Sequence, residues 1–151
     1  MKKSILLIDK DKQELGMFED AFKQMPGSFD CTYAKDPLQA LGMLQRDKPD
    51  IIFINYYIPP HNGLEFVAVV KTEPMLRDIR VFLYANYFSD EINKMAHTLG
   101  AAGCIETTGC RSIFIHELKA ILNPELLPVY VFLRRNTTFS LPVTFFYGPG
   151  D

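Results

Sequence analysis

Polar residues follow the apolar runs of this sequence at four points, and any chemistry is expected there. A carboxylate, an ammonium group and a second carboxylate stand together at residues 9–11, and an amide and two phenols stand together at residues 55–57. Ala85 and Asn86 follow a third run, and Glu106 and Thr107 follow the last. Carboxylates can ligate hard cations, while amides and hydroxyls supply hydrogen bonds. These four points are therefore the candidate functional positions.

The apolar runs that precede these residues predict β-strands. Residues 5–8, 51–54 and 81–84 are short, continuous and rich in branched or aromatic side chains, which is typical of parallel strands covered on both faces. Weaker runs at residues 29–33 and 103–105 bring the number of predicted strands to five. One predicted helix follows each strand, so the pattern favours an α/β fold.

Five helices are predicted from capping signals and apolar spacing. Asp11 followed by Glu14 resembles a capping box, in which each residue's side chain bonds the other's backbone amide. The five helices are predicted to start at Asp11, at Asp36 with Pro37, at Gly63, at Ser89 and at Ser112. The first is predicted to end at Pro26, the third at about residue 71 and the fourth at Gly100. A chain of five such units winds with right-handed crossovers, and its common strand order is 2-1-3-4-5. Ligands then lie beyond the carboxyl ends of strands 1 and 3.

The length and composition of the chain argue against several classes of function. The length of 151 residues predicts one domain, and a net charge of −2 argues against a nucleic acid partner. The three cysteines, Cys31, Cys104 and Cys110, lack CxxC spacing, which suits reduced thiols in a cytoplasm. No apolar run is long enough to span a membrane, and no signal peptide is predicted.

The histidines and glycines do not form a recognised motif. His61, His97 and His116 have no spacing typical of a zinc site, and no glycine-rich nucleotide-binding loop follows the first strand. A catalytic histidine and a bound nucleotide are therefore not predicted.

Four segments resemble the signature blocks of response-regulator receiver domains. They are ILLIDKD at 5–11, DIIFINYYIPPHNG at 50–63, VFLYAN at 81–86 and LGAAGCIETT at 99–108. The resemblance covers about residues 1–122 and implies a CheY-like, flavodoxin-like (βα)₅ doubly wound parallel sheet. It also implies a cytoplasmic protein of a two-component phosphorelay pathway that is not itself an enzyme.

The same resemblance implies that the phosphorylation site is degenerate. Intact receivers accept a phosphoryl group on an aspartate after strand 3, assisted by an acidic pair, Mg²⁺, a hydroxyl residue, a lysine and an aromatic switch residue. The matching positions here are Asp9 and Lys10 for the acidic pair, Asn55 for the acceptor, Ala85 for the hydroxyl, Thr107 for the lysine and Cys104 for the switch. An amide cannot form an acyl phosphate, and these side chains sum to zero charge, so we expect neither phosphorylation nor a Mg²⁺ cofactor.

Two side-chain roles stay open from the sequence. Lys10 either points into water or occupies part of the vacated metal pocket, paired with Asp9 or with the side-chain oxygen of Asn55. Tyr56, Tyr57 and Tyr84 are expected to be packing residues, with contact to a ligand as the alternative.

Residues 123–151 form a short apolar extension beyond the resemblance. Apolar runs at 129–133 and 139–147 flank Arg134 and Arg135 and predict a β-ribbon or extended arms. An isolated ribbon of this kind is only marginally stable in water. It is therefore expected to pack on the receiver body, on a second copy of the chain or on another protein. Homodimerisation through this extension is the favoured case.

The expected function is a phosphorylation-independent protein-interaction module, that is, a pseudo-receiver. Its expected partner is a histidine kinase, a phosphotransfer protein or an output protein. One alternative is a receiver phosphorylated at an atypical carboxylate such as Asp9 or Asp11, and another is a small-ligand sensor that uses the same crevice.

Overall fold

The computed structural model describes residues 2–107, 111–122 and 143–145. Its strands are β1 (Lys3–Ile8), β2 (Phe29–Ala34), β3 (Ile51–Asn55), β4 (Tyr57–Ile58), β5 (His61–Asn62), β6 (Arg80–Ala85), β7 (Gly103–Glu106) and β8 (Val143–Phe145). Its helices are α1 (Gln13–Lys23), α2 (Pro37–Leu44), α3 (Gly63–Thr72), α4 (Asp90–Leu99) and α5 (Arg111–Leu122).

The main sheet has the order β2-β1-β3-β6-β7-β8. The first five of these strands run parallel. In chain order they are the five predicted strands, so the predicted order 2-1-3-4-5 is confirmed. The short strands β4 and β5 pair with each other, in a hairpin that follows β3.

Apolar residues cover the sheet on both faces. One core cluster joins the sheet to α2, α3 and α4 through residues such as Leu44, Val67 and Ala96. The other joins it to α1 and α5 through residues such as Phe18 and Leu118. Strands buried on both faces explain why the sequence shows continuous apolar runs rather than alternation.

Most predicted helix boundaries are confirmed. The Asp36 carboxylate accepts a hydrogen bond from the Gln39 amide at 2.7 Å, and the Ser89 hydroxyl accepts one from the Ile92 amide at 3.2 Å. Gly100 ends α4 at φ +98°, a conformation that glycine adopts without strain. None of the helices in the described ranges is long and apolar enough to cross a bilayer.

The predicted capping box at the start of α1 is wrong. Lys12 is the N-cap residue, and its side chain makes no capping bond. The Asp11 amide, which Glu14 would have bonded, donates instead to Asp9 Oδ1 at 2.9 Å, and Asp11 Oδ1 accepts from the Gln13 amide at 3.0 Å. The loop after β1 therefore turns toward Asp9 rather than closing on the helix.

Part of the predicted C-terminal extension pairs with the receiver body. Val143–Phe145 runs antiparallel to β7, with Val143 opposite Ile105 and Phe145 opposite Gly103. The rest of the predicted extension, at residues 123–142 and 146–151, lies outside the described residues, as does Cys110.

Gly63 is required by close packing where α3 begins behind the loop that follows β3. A Cβ at this position would lie 2.5 Å from Leu83 Cδ2 and 3.2 Å from both the Asn55 carbonyl oxygen and Tyr56 Cα. We expect Gly63→Ala to lower the free energy of unfolding by about 1–2 kcal/mol, because the buried strand and loop must shift. Urea unfolding measures this.

Gly42→Ala is the matched control for Gly63→Ala. Gly42 lies inside α2, and a Cβ there meets nothing within 4 Å. Alanine should therefore raise the free energy of unfolding by about 0.5–1 kcal/mol through its helix preference. Equal effects of the two substitutions would contradict the packing explanation.

Candidate functional site

The sheet register places Asp9, Asn55 and Tyr84 in one row at the carboxyl ends of β1, β3 and β6. Ile8 lies opposite Ile54, so Asp9 continues β1 level with Asn55, and Asn55 lies opposite Tyr84. Side chains level with one another on parallel strands point to the same face of the sheet. The three polar groups therefore converge.

Asp9 is the centre of this row. Its side chain is buried, with 1 % of the residue exposed. Oδ2 accepts hydrogen bonds from Tyr84 OH at 2.6 Å and from Asn55 Nδ2 at 3.0 Å, while Oδ1 accepts the Asp11 amide at 2.9 Å. Neutral donors of the chain itself thus surround the carboxylate, as a buried anion without a cation requires.

The Asn55 side chain is held at both ends. Its Nδ2 donates to Asp9, and its Oδ1 accepts a hydrogen bond from the Tyr57 amide at 2.9 Å. These two partners define the orientation of the amide, because only nitrogen can donate and only oxygen can accept. Asn55 therefore links the end of β1 to the loop after β3.

Tyr84 belongs to the site, which the sequence did not predict. Its ring packs 5.2 Å from the ring of Phe18 on α1, as expected of a core residue, but its hydroxyl reaches Asp9. Burial, followed by the hydrogen bond to Asp9, raises the pKa of Tyr84 far above its ordinary value of 10.0. The phenol therefore stays protonated as a donor across the physiological range.

A second tyrosine fixes the backbone of Asp9. Tyr33 OH, on β2, donates to the Asp9 carbonyl oxygen at 2.5 Å. Burial, followed by the nearby carboxylates of Asp9, Asp11 and Asp36, raises the pKa of Tyr33. The Nζ atom of Lys12 lies 6.0 Å from the centre of the Tyr33 ring. Asp9 is thus held through both its main chain and its side chain.

Of the two roles that the sequence left open for Lys10, the structure shows the first, because its side chain points into water and is not paired with Asp9 or Asn55. Its side chain is exposed, and within the described residues it forms no ion pair with Asp9 and no hydrogen bond with Asn55. β1 ends at Ile8, and Lys10 lies at a bend in the loop that follows it. The donors at Asp9 are Tyr84 and Asn55 instead.

Three further predicted site residues lie in β6, in β7 and just after β7. Ala85 is buried at the end of β6, and the Thr107 hydroxyl, after β7, donates to Asn86 Oδ1 at 3.2 Å. Cys104 is buried in β7, and burial, followed by Glu106, raises the pKa of its thiol to about 12. Neither Thr107 nor Cys104 is hydrogen-bonded to Asp9 or Asn55.

The histidines lie on separate elements. His61 is on β5 and pairs with Glu65 at 2.7 Å, while His97 is on α4 and His116 is on α5. Within residues 2–107, 111–122 and 143–145, no group of three His, Cys, Asp or Glu residues is arranged to hold a metal ion.

The five-stranded parallel sheet, with its strand order and with helices on both faces, is the CheY-like, flavodoxin-like fold. The model of the response regulator receiver domain family matches residues 5–108. The chain therefore belongs to the receiver domain family of two-component signalling.

Solved structures and curated relatives are similar to this chain. The chemotaxis response regulator CheY4 of Vibrio cholerae has a TM-score of 0.68 at 18 % identity, covering 80 % of this chain and 99 % of that one. The phosphorylated cyanobacterial phytochrome response regulator RcpA has a TM-score of 0.71 at 20 % identity, covering 80 % and 91 %. These likenesses show the fold.

Among curated proteins, the polar-differentiation response regulator DivK of Brucella anthropi is 25 % identical over 81 residues, which is 54 % of this chain and 64 % of DivK. The phosphate regulon transcriptional regulatory protein PhoB of Klebsiella pneumoniae is 27 % identical over 94 residues, 62 % of this chain and 41 % of PhoB. The match spans less than two thirds of the length of both relatives.

Proposed function

We propose that this chain is a pseudo-receiver, a receiver domain that acts by binding a signalling protein without being phosphorylated. The observation that carries the proposal is the side chain of residue 55, the acceptor position in the resemblance. It is an amide, and its nitrogen and oxygen are both engaged, by Asp9 and by the Tyr57 backbone. An acyl phosphate requires a carboxylate oxygen that attacks phosphorus, and no such atom is present at residue 55.

The residues around Asp9 do not fit Mg²⁺. The ion prefers several oxygen ligands in near-octahedral geometry and carboxylates that neutralise its charge. Asp9 is the single carboxylate of the row, and three hydrogen-bond donors already occupy its two oxygens. A cation entering here would have to displace Tyr84 and Asn55, and the proposal therefore includes no metal cofactor.

Burial also argues against Asp9 as a substitute acceptor. At 1 % exposure its carboxylate has no open approach for a phosphodonor. Attack in line with a leaving group requires access along one direction and positive charge around the transferred group. Ala85 and Thr107, at the positions of the family's hydroxyl and lysine residues, supply neither a phosphoryl-binding hydroxyl nor an ammonium group.

The input to such a module is a binding partner. A ligand shifts an equilibrium between two conformations only by binding them with different affinity, and without a phosphoryl group that role falls to another protein. In a two-component pathway the candidate partners are a histidine kinase, a phosphotransfer protein and an output protein. The net charge of −2 gives no reason to propose nucleic acid.

Intact mass measurement after incubation with a small phosphodonor and Mg²⁺ tests the proposal. We expect no increase in mass from the full chain. The variant Asn55→Asp/Lys10→Asp/Thr107→Lys, which restores the charged groups of the family pattern, is expected to gain one phosphoryl group. Phosphorylation of the unmodified chain, at Asp9, Asp11 or elsewhere in the crevice, would overturn the proposal and favour a receiver with an atypical acceptor.

A further inference from the structure

Strand β2 is the outer strand of the main sheet on the side of β1. The Ser28 carbonyl oxygen accepts a hydrogen bond from the first residue of β1 at 3.0 Å, and the Ala34 carbonyl oxygen accepts one from the residue after β1 at 3.1 Å. Alternate residues of a strand direct their backbone groups to the same side, so the even-numbered residues here face β1. The N–H and C=O groups of Phe29, Cys31 and Tyr33 therefore point away from the sheet, and no hydrogen bond within the described residues uses them. We call these groups the β2 edge.

A groove of about 510 Å³ lies beside this edge, on the face of the sheet that α1 covers. Phe22 of α1 and Phe29 of β2 line it with stacked rings, whose centroids are 5.2 Å apart. Cys31 lines the groove as well and is half-buried, packed against the same core cluster as Phe29. Opposite residues of paired strands share a face of the sheet. A residue added opposite Cys31 by another strand would therefore direct its side chain into this groove.

The groove carries net negative charge. Glu19 and Asp30 line it with exposed carboxylates, and Lys23 is the single cation among the described residues that line it. Burial, followed by the negative charges of Glu19 and Asp30, raises the pKa of the Cys31 thiol to about 12, so both carboxylates act on the position beside the free backbone groups. Neither carboxylate forms an ion pair within the part of the chain that the structure describes. A lysine or arginine side chain matches both the charge and the aromatic rings of this groove.

A second copy of the chain does not match the β2 edge. Two β2 strands paired with each other would bring Glu19 and Asp30 of both copies to one seam, and like charges across paired strands are destabilising. A charged residue on an edge strand commonly protects a protein against such self-association. The same charge attracts a strand that carries a basic residue, so the edge distinguishes a foreign strand from a copy of itself.

The other face of β2 selects less strongly. A groove of about 520 Å³ lies there, toward α2. Two carboxylates and two cations line it, namely Asp30, Asp47, Arg46 and Lys48. Successive residues of an added strand alternate between the two faces, so the neighbours of the basic residue would lie over this balanced groove. Polar, uncharged side chains are sufficient there.

We propose that the β2 edge binds an extended segment of a partner protein as an added strand, with a basic side chain opposite Cys31. The free N–H and C=O groups of β2 provide affinity through backbone hydrogen bonds, and the groove beside Cys31 selects lysine or arginine. This inference deepens the proposed function, and it rests on that function only in that the chain acts by binding a protein. Phosphorylation and strand binding are measured separately, so the failure of one is distinguishable from the failure of the other.

Titration of the full chain with the end-blocked peptide Thr-Val-Thr-Lys-Thr-Val-Thr tests the proposal. The lysine is placed to lie opposite Cys31, with the valines on its face of the strand and the threonines on the other. The peptide reads the same in both directions, so it suits parallel and antiparallel pairing. Amide NMR signals measure binding, and hydrogen exchange measures protection. We expect the amides of Phe29, Cys31 and Tyr33 to exchange on the order of tenfold more slowly at saturating peptide.

Two control peptides separate the charge from the backbone pairing. Glutamate in place of lysine keeps the backbone and reverses the charge, and this peptide should bind at least about tenfold more weakly. N-methylation of the lysine and of the threonine after it keeps the charge. It removes one amide that faces β2, because successive amides of a strand face opposite sides. The methylated peptide should therefore give no protection of the β2 amides.

Glu19→Lys/Asp30→Lys is the matched variant of the chain. Both side chains are exposed, so the fold should be kept, while the preference should reverse toward the glutamate peptide. Absence of binding of the lysine peptide, equal binding of the two charged peptides by the unmodified chain, or undiminished binding of the methylated peptide would each overturn the proposal. Protection of the β2 amides that rises with protein concentration alone would show a second copy at this edge, and it would overturn the proposal as well.

Discussion

Replacing Asn55 with aspartate is expected to lower the free energy of unfolding by about 3–5 kcal/mol at neutral pH, because it places a second charge beside a buried carboxylate. The amide nitrogen that now donates to Asp9 Oδ2 at 3.0 Å would become an oxygen bearing negative charge. Urea unfolding of the variant and wild type measures the difference.

Asn62→Asp provides the control for this substitution. Asn62 is the N-cap residue of α3, and its side-chain oxygen accepts the Glu65 amide at 3.2 Å. Aspartate serves equally well at an N-cap and interacts favourably with the helix dipole, so stability should change by less than about 0.5 kcal/mol. Equal stabilities of Asn55→Asp and wild type at neutral pH would contradict the description of Asp9 as a buried anion.

The same single substitution should not restore phosphorylation. Lys10 still carries positive charge at a position of the family's acidic pair, and Thr107 still lacks the ammonium group that would balance the transferred phosphoryl group. The additional changes Lys10→Asp and Thr107→Lys are expected to be necessary. Rapid phosphorylation of Asn55→Asp alone would show that this electrostatic explanation is wrong.

Replacing Tyr84 with phenylalanine is expected to lower the free energy of unfolding by about 2–3 kcal/mol, the usual cost of removing a buried hydrogen bond to a charged group. The ring and its packing against Phe18 are kept, so the loss isolates the 2.6 Å bond to Asp9. Urea unfolding near neutral pH measures it.

The cost of Tyr84→Phe should fall in alkaline solution. Because the folded pKa of Tyr84 lies above its unfolded value of about 10, the contribution of the phenol is fully present below that pH. Above it, the unfolded chain loses its proton while the folded chain keeps it, so wild type loses up to about 1.4 kcal/mol per pH unit relative to the variant. Unfolding measured from pH 8 to about pH 11 follows this change.

Tyr87→Phe is the matched control for Tyr84→Phe. Tyr87 is 68 % exposed, in the loop after β6. Removing its hydroxyl should change stability by less than about 0.5 kcal/mol at every pH. If the difference between wild type and Tyr84→Phe were as small, or independent of alkaline pH, the hydroxyl of Tyr84 would not have the role described here.

The sequence predicts most of the fold because local signals agree with the tertiary structure. Runs such as residues 51–54 identify strands, and Asp36, Ser89 and Gly100 identify helix ends through bonds made within a few residues. The capping box at Asp11 failed because the amide of Asp11 has a competing acceptor in Asp9. That competition depends on how the loop folds back, which residue types alone do not determine.

The candidate site was predictable only in part. The resemblance located Asp9, Asn55, Ala85 and Thr107, but it gave no role to Tyr84. A tyrosine at the end of an apolar run predicts packing, and its hydroxyl becomes a site group only through the register that sets it opposite Asn55. The available signal was a residue with a polar atom at the end of the apolar run 81–84, level with Asn55.

The amide at residue 55 also has a consequence for timing. An acyl phosphate hydrolyses in water, and this reaction limits how long a phosphorylated receiver stays switched on. In a chain that works as proposed, no acyl phosphate forms, so its hydrolysis cannot end the signal and no high-energy phosphate is consumed. The duration of its signal would equal the residence time of the complex with its partner, which the dissociation rate sets.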